Sequence, residues 1–288
     1  MPPVEPTAIT ALIKGQEAEV LAFLGRRPTH TVMLAGLVRD NGLVSPLNRG
    51  SFYGYRSTTG DLEGVMIVGE IIMFEARTEQ SLEAFARHAQ AYPDAYVIVG
   101  EHKKIARFWN YYEGTGQEPR LFCRELLFQL RRPIEVSELV TDLRLANVDD
   151  LAHVVRVHAQ MALEESGIDP LKFDPEGFRQ RCLRRIEQGR VWVWIDNDRL
   201  IFKADVVSET PDVVYLEGVY TDPDERGKGV GTRCLSQLSR DLLSRTKSVC
   251  LLAHDQNRAA HKMYRKSHFR LRGLYDTIFL RKAVGHAM

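Results

Sequence analysis

The chain has 288 residues, 44% of them hydrophobic and 27% charged, with a formal net charge of +1. That length suggests two domains, each with a sizeable core, and a near-neutral balance offers no field for nucleic acid or a membrane surface. The four cysteines, Cys123, Cys182, Cys234 and Cys250, are scattered without a C-x-x-C pair, so neither a zinc site nor a disulfide framework is expected.

No apolar run approaches the roughly 18 residues of a membrane helix. The first residues, Met1-Pro2-Pro3-Val4-Glu5-Pro6, lack a basic and then apolar leader, so the expected location is the cytoplasm. Apolar points at Leu12, Ile13, Val20, Leu21 and Leu24 predict a helix over 12–24, and Met33, Leu34 and Leu37 a second over 31–39. Strands follow at Ser51–Tyr55 and across Gly64–Glu75, the latter as two strands or a bulged pair. A helix over 81–90, a buried-type strand at Tyr96–Val99, a helix over 104–112 and a strand at Phe122–Leu130 complete the first half. Pro133 and the polar residues after it read as a linker, which puts the domain boundary between 135 and 136.

The second half opens with a strand at Leu143–Ala146 and a helix over 149–165 capped by Asp149 or Asp150. A helix over 175–188 precedes a hairpin of Val191–Ile195 and Leu200–Val207 around Asn197-Asp198. A β-branched and aromatic run, Val213–Tyr220, then reads as a strand. Asp222-Pro223-Asp224 breaks it, and Arg226-Gly227-Lys228-Gly229-Val230-Gly231-Thr232 leads into an apolar stripe at Val230, Cys234, Leu238 and Leu242. The spacing is one face of a helix, so the glycines sit where a helix begins. A helix N-terminus has unpaired N–H groups and partial positive charge, and glycine lets an anion approach the backbone. The turn therefore suits a phosphate or pyrophosphate, with Arg226 and Lys228 beside it. It is no P-loop, for it lacks the Gly-Lys-Ser/Thr ending. It is no dinucleotide fingerprint either, since the last glycine position falls on Thr232 or Cys234.

What remains is Arg-x-x-Gly-x-Gly, read as Arg226, Gly229 and Gly231. After it come a strand at Val249–Ala253 and the spaced residues Asn257, Ala260 and Tyr264, ending in His268-Phe269. In these two motifs the chain resembles the GNAT acetyltransferase superfamily over roughly its C-terminal half, with His268 where members usually carry glycine. Both halves run helix, helix, strands, helix, strand, helix, strand, but the first reads Ala76-Arg77-Thr78-Glu79-Gln80 where the glycine turn would stand. The expectation is an α/β fold of two GNAT-like domains, 1–135 and 136–288. Each is a mixed, mostly antiparallel sheet flanked by helices, and the first has lost its cofactor site. This first copy is further expected to form either one wall of the acceptor site or the surface of a homodimer.

The resemblance implies acetyl-CoA as co-substrate, no metal, and direct transfer of the acetyl group to a primary amine. The expected acceptor is a small amine or amino-acid derivative. The alternatives are a protein lysine or N-terminus, and an acyl-CoA-binding module without turnover. Cofactor contacts are expected from Val219, Tyr220 and Thr221, from Arg226, Gly227, Lys228, Gly229, Val230, Gly231 and Thr232, and from Asn257 and Tyr264. Gly218 suits a bulge that frees the N–H of Val219 for the oxyanion. Glu217, a carboxylate in an apolar strand, is the expected base, its pKa raised by burial, with His254 and Asp255 behind it. Tyr264 is the expected acid towards the leaving sulfur. Arg258, Lys262 and Arg265 are candidates for the CoA 3′-phosphate. His254, His261 and His268 recur every seven residues on different elements, which argues against a metal site.

Overall fold

The computed structural model describes residues 9–114, 117–132 and 138–281. The linker expected after Pro133 and the boundary at 135/136 lie outside the described residues. In chain order the elements are β1 (Ile9–Ala11), α1 (Glu17–Leu24), α2 (Pro28–Asn41), β2 (Gly50–Arg56), β3 (Leu62–Gly69), β4 (Ile71–Ala76), α3 (Glu79–Ala89), β5 (Val97–Glu101), α4 (His102–Tyr112) and β6 (Pro119–Leu130). There follow β7 (Arg144–Leu145), α5 (Leu151–Ser166), α6 (Pro170–Phe173), α7 (Pro175–Glu187), β8 (Val191–Asp196), β9 (Arg199–Glu209), β10 (Val214–Thr221), α8 (Val230–Leu243), β11 (Val249–His254), α9 (Arg258–Lys266) and β12 (Arg270–Leu280). Among the described residues no helix is long and apolar enough to cross a membrane. The chain divides into two compact units, Met1–Leu126 with Gly273–Met288, and Leu127–Arg272.

In the first unit the strands lie in the order β1, β2, β3, β4, β5, β12. The first four pair antiparallel, β4 and β5 are parallel, and β5 and β12 are antiparallel. Alternation along β3 sends Val65 and Ile67 to one face, with α1 and α2, and Met66 and Val68 to the other, with α3 and α4. The stretch 64–75 is thus two strands, turning at Gly69–Glu70. The expected second domain, 136–288, includes β12. Instead Tyr275 pairs with Glu101 and Phe279 with Val97, and Ile278 and Leu280 are buried in the core of α3 and α4.

The second unit, which takes in β6 only from Leu127 onward, orders its strands β6, β11, β10, β9, β8, β7. Here β10 and β11 are parallel, and β10–β9, β9–β8 and β8–β7 are antiparallel. Asn197 and Asp198 turn the β8–β9 hairpin, both with positive φ (46° and 61°), the pattern of a type I′ turn. One face carries α5 and α7, whose Val154, Val157, Phe178, Cys182 and Ile186 pack on Val191, Val193 and Tyr220. Helix α8 buries the predicted stripe, Val230, Cys234, Leu238 and Leu242, and touches β9, β10 and β11. Asp150, one of the two expected caps, stands at the N-cap position of α5, without a side-chain bond to that helix. A single helical turn, Val148–Asp150, precedes the helix; Asn147 Oδ1 accepts the N–H of Asp149, while Asp150 accepts that of Asn147. Asp150 is held in addition by Arg144.

Candidate functional site

The glycine turn enters α8 in the second unit. Asp222 ends β10 and its side chain accepts the N–H of Asp224, which rounds the chain into a short turn. Gly227 and Gly229 take positive φ of 82° and 85°, a region open to glycine at little cost. Gly229 is the N-cap of α8, and no side chain caps the helix. The first amides of α8 are therefore left to the groove they face. In the first unit the corresponding helix, α3, closes its own N-terminus. Thr78 Oγ1 accepts the N–H of Ser81, and Ser81 Oγ accepts that of Thr78.

The groove at α8 holds about 420 Å³, within the range of small-molecule sites. It is lined by Val219, Tyr220 and Thr221 of β10, by Arg226, Gly227, Gly229, Val230, Gly231 and Thr232, and by Asn257. Met161 and Glu164 of α5, Glu225 before the glycine turn, and Ala259, Ala260, Lys262, Met263 and Lys266 of α9 complete its walls. Arg226 Nε donates to the carbonyl of Thr221 at 3.1 Å, which holds the guanidinium over the strand end. Asn257 Oδ1 accepts the N–H of Ala260 and so caps α9. Gly231 marks a close approach: a Cβ there would lie 2.5 Å from Thr221 Oγ1 and 2.7 Å from Met263 Sδ.

Three residues expected at the site are not among the groove's lining residues. Lys228 reaches Glu225 at 3.3 Å. Tyr264 is buried, with its ring 5.5 Å from that of Phe128 and 6.2 Å from that of Phe269. Burial pushes its phenol well above the ordinary value, so it carries its proton at neutral pH. Glu217 is exposed, which corrects the expectation of a buried carboxylate: the strand turns it towards solvent beside the bulge. Of the alternatives, His254 Nδ1 lies 3.3 Å from Asp255 Oδ1 and accepts the N–H of Gln256. Lys262 and Lys266 line the groove, while Arg258 and Arg265 line only a neighbouring basic concavity with His261. Among the described residues no group of three or more His, Cys, Asp or Glu side chains is placed to hold a metal ion.

The bulge itself is present. The register of β9 and β10 slips between Glu217 and Tyr220, and Gly218 has a φ of 59°. Beneath it stands a group that the sequence reading passed over. Lys203 Nζ, with its side chain fully buried, lies 2.8 Å from Asp205 Oδ2 and 3.4 Å from the Gly218 carbonyl. His158 Nδ1 of α5 lies 3.3 Å from Asp205 Oδ2, and Arg185 Nη1 of α7 lies 3.4 Å from the same oxygen. Burial opposes charge on Asp205, but Lys203, His158 and Arg185 outweigh it and hold the carboxyl below its usual range. The signal was present as Lys203-Ala204-Asp205 inside the apolar run of β9. Met161 and Glu164 left no such mark.

Residues 158–269 match the model of the Acetyltransferase (GNAT) family. No curated protein matches the chain. Among solved structures, a Drosophila protein is similar with a TM-score of 0.71 at 12% identity, covering 96% of this chain and 99% of that one. A GNAT-family acetyltransferase from Colwellia psychrerythraea is similar at 0.56 and 12%, covering 95% and 99%. A tandem GNAT protein from the clavulanic acid biosynthesis pathway is similar at 0.57 and 11%, covering 93% and 97%. These likenesses concern the fold.

Proposed function

Because residues 158–269 belong to the GNAT acetyltransferase superfamily, we propose that this chain moves an acetyl group from acetyl-CoA directly to a primary amine. The reading is carried by one observation: α8 begins at Gly229 with no side chain over its first amides. Those amides face a groove that also holds Arg226, Lys262 and Lys266. A helix mouth of this kind binds a diphosphate through N–H donors and dipole together. The main chain of Val219, Tyr220 and Thr221 takes the pantetheine arm. The N–H of Val219, freed by the bulge at Gly218, donates to the tetrahedral oxyanion, a contribution of about 3 kcal/mol in other acyl-transfer enzymes. Asn257 supports the cofactor through its amide nitrogen, its oxygen being engaged in the cap of α9.

Tyr264 gives the leaving thiolate its proton. The role rests on its place on α9, whose Ala260 and Met263 line the groove, while burial keeps the phenol protonated until the C–S bond breaks. Replacing Tyr264 with phenylalanine lowers kcat at least tenfold with acetyl-CoA affinity kept; undiminished turnover removes the role. The acceptor is a small amine or amino-acid derivative. The self-capped N-terminus of α3 supports the companion reading of a tandem whose first copy holds no cofactor. Titration calorimetry tests the function: acetyl-CoA binds with micromolar affinity, and CoA is released when an amine panel is added. No heat at high micromolar acetyl-CoA rejects the proposal, and binding without CoA release reduces the chain to an acyl-CoA-binding module.

A further inference from the structure

The amine that attacks the thioester must lose a proton, and the carboxylate expected to take it, Glu217, is exposed. A different pair has the form of a base and its orienting partner. His158 turns Nδ1 towards Asp205 Oδ2 at 3.3 Å, and the Asp205 side chain is 2% exposed. With Nδ1–H donating to this buried carboxylate, Nε2 is the nitrogen left to accept a proton, and the Lys203 ammonium 3.4 Å from the same Nδ1 is then a neighbouring charge and not its hydrogen-bond donor.

Neither residue is among those that line the groove, but their neighbours connect the pair to it. Lys203 Nζ lies 3.4 Å from His158 Nδ1 and 3.4 Å from the carbonyl of Gly218. The ring is thus one ammonium away from the bulge that aims the Val219 N–H. Met161 follows His158 by three residues, on the same face of α5, and lines the groove. Phe178 packs against the imidazole, ring centroids 5.3 Å apart, while the His158 side chain keeps 21% of its surface open.

We propose that His158, oriented by Asp205, is the general base that receives the proton of the acceptor amine. This deepens the acyl-transfer reading and rests on it. The amine nitrogen attacks the acetyl carbonyl and forms the C–N bond. Its proton passes to His158 Nε2, directly or through one water. The C–S bond breaks with its electron pair on sulfur, which takes a proton from Tyr264. The protonated His158 then gives its proton up through the groove, and the tyrosinate recovers one. Lys203 and Asp205 are positioning residues: the first ties the ring's carboxylate to the bulge, the second holds the ring.

The charged groups acting on the ring are Asp205 and Lys203 from β9 and Arg185 from α7. Burial lowers the pKa of His158, Asp205 pulls it up, and Lys203 and Arg185 add to the lowering. The ring is therefore neutral at pH 7, as a base must be. The acid limb of kcat/KM lies below the ordinary histidine value of about 6.5.

The test takes the full chain, acetyl-CoA and an amine that the wild type acetylates. The wild type is first shown to bind acetyl-CoA by calorimetry; failure there rejects acyl transfer itself, before any variant is made. His158→Gln, which keeps a polar side chain but no titratable nitrogen, is expected to lower kcat/KM at pH 7 by about a hundredfold. It should flatten the acid limb and leave the acetyl-CoA Kd within about twofold. Arg185→Gln, which removes a cation that is 30% exposed, should move the acid limb to higher pH. Glu217→Gln should leave the limb where it is. An unaltered limb in His158→Gln, or its loss in Glu217→Gln instead, overturns the proposal. Should His158→Gln fail to fold, the Arg185→Gln profile decides, and an unmoved limb there overturns it equally.

Discussion

At position 268 the chain holds a histidine with a φ of 62°, in the turn after α9 where relatives of this family usually carry glycine. A side chain with a Cβ in that region costs about 1–2 kcal/mol. His268→Gly is expected to raise stability by about 1 kcal/mol, since part of the relief is lost to the freer unfolded chain. Chemical denaturation measures it, and an unchanged or lower midpoint at the same slope contradicts it. The same scale shows what the sequence could and could not say. The departure at His268 was legible because a motif fixes what belongs there. The exposure of Glu217 was not, because alternation along a strand gives a face but not what covers that face. Lys203 and Asp205 were legible in principle: two charges within an apolar strand demand each other or another partner. His158 was not, since a histidine on an amphipathic helix has no distinguishing pattern until the strand beneath it is known.

Among elements, the strand, turn and helix from β10 to α8 were read from local signals alone. Period two gave the strand, Asp-Pro-Asp the break, and a four-residue apolar spacing the helix. The Asn197-Asp198 hairpin and the two strands around Gly69 were read in the same way. What periodicity left out is how close α8 comes to its neighbours. Gly231 is the point of contact, and a Cβ would collide with side chains of both β10 and α9. Gly231→Ala is expected to cost about 1–3 kcal/mol through overpacking, read as a lower melting temperature, and to weaken acetyl-CoA binding by prising α8 from Thr221. Gly227 is the control. No atom lies within 4 Å of a Cβ built there, so Gly227→Ala carries only its backbone strain. Equal melting temperatures for the Gly231→Ala variant and the wild type would contradict this account of the packing.

For the molecule as a whole, the destination of β12 decides which fragments can fold. Nothing in the pattern of Tyr275–Leu280 names its neighbour, because a strand's partner is a matter of topology and not of period. Tyr275, Ile278 and Leu280 are all buried, and each such side chain contributes about 1.5–3 kcal/mol. Together they approach the whole stability of a small domain. A chain cut after Arg272 keeps every residue of the second compact unit. It is expected to lose cooperative melting of the first, and a peptide spanning 270–281 added in trans should restore it in part. A cut chain that melts as two intact units would contradict this.

The pairing of β5 with β12 also sets a clock. His102 and Asp276, which bond at 2.6 Å, stand 174 positions apart in sequence. At synthesis rates of roughly 5–20 residues per second, β5 waits on the order of ten to thirty seconds for its partner. During that interval Val97–Glu101 presents a bare hydrogen-bonding edge of the sort that invites pairing with another chain. A nascent polypeptide of this kind depends on whatever shields that edge at the ribosome, a demand that the finished fold no longer makes.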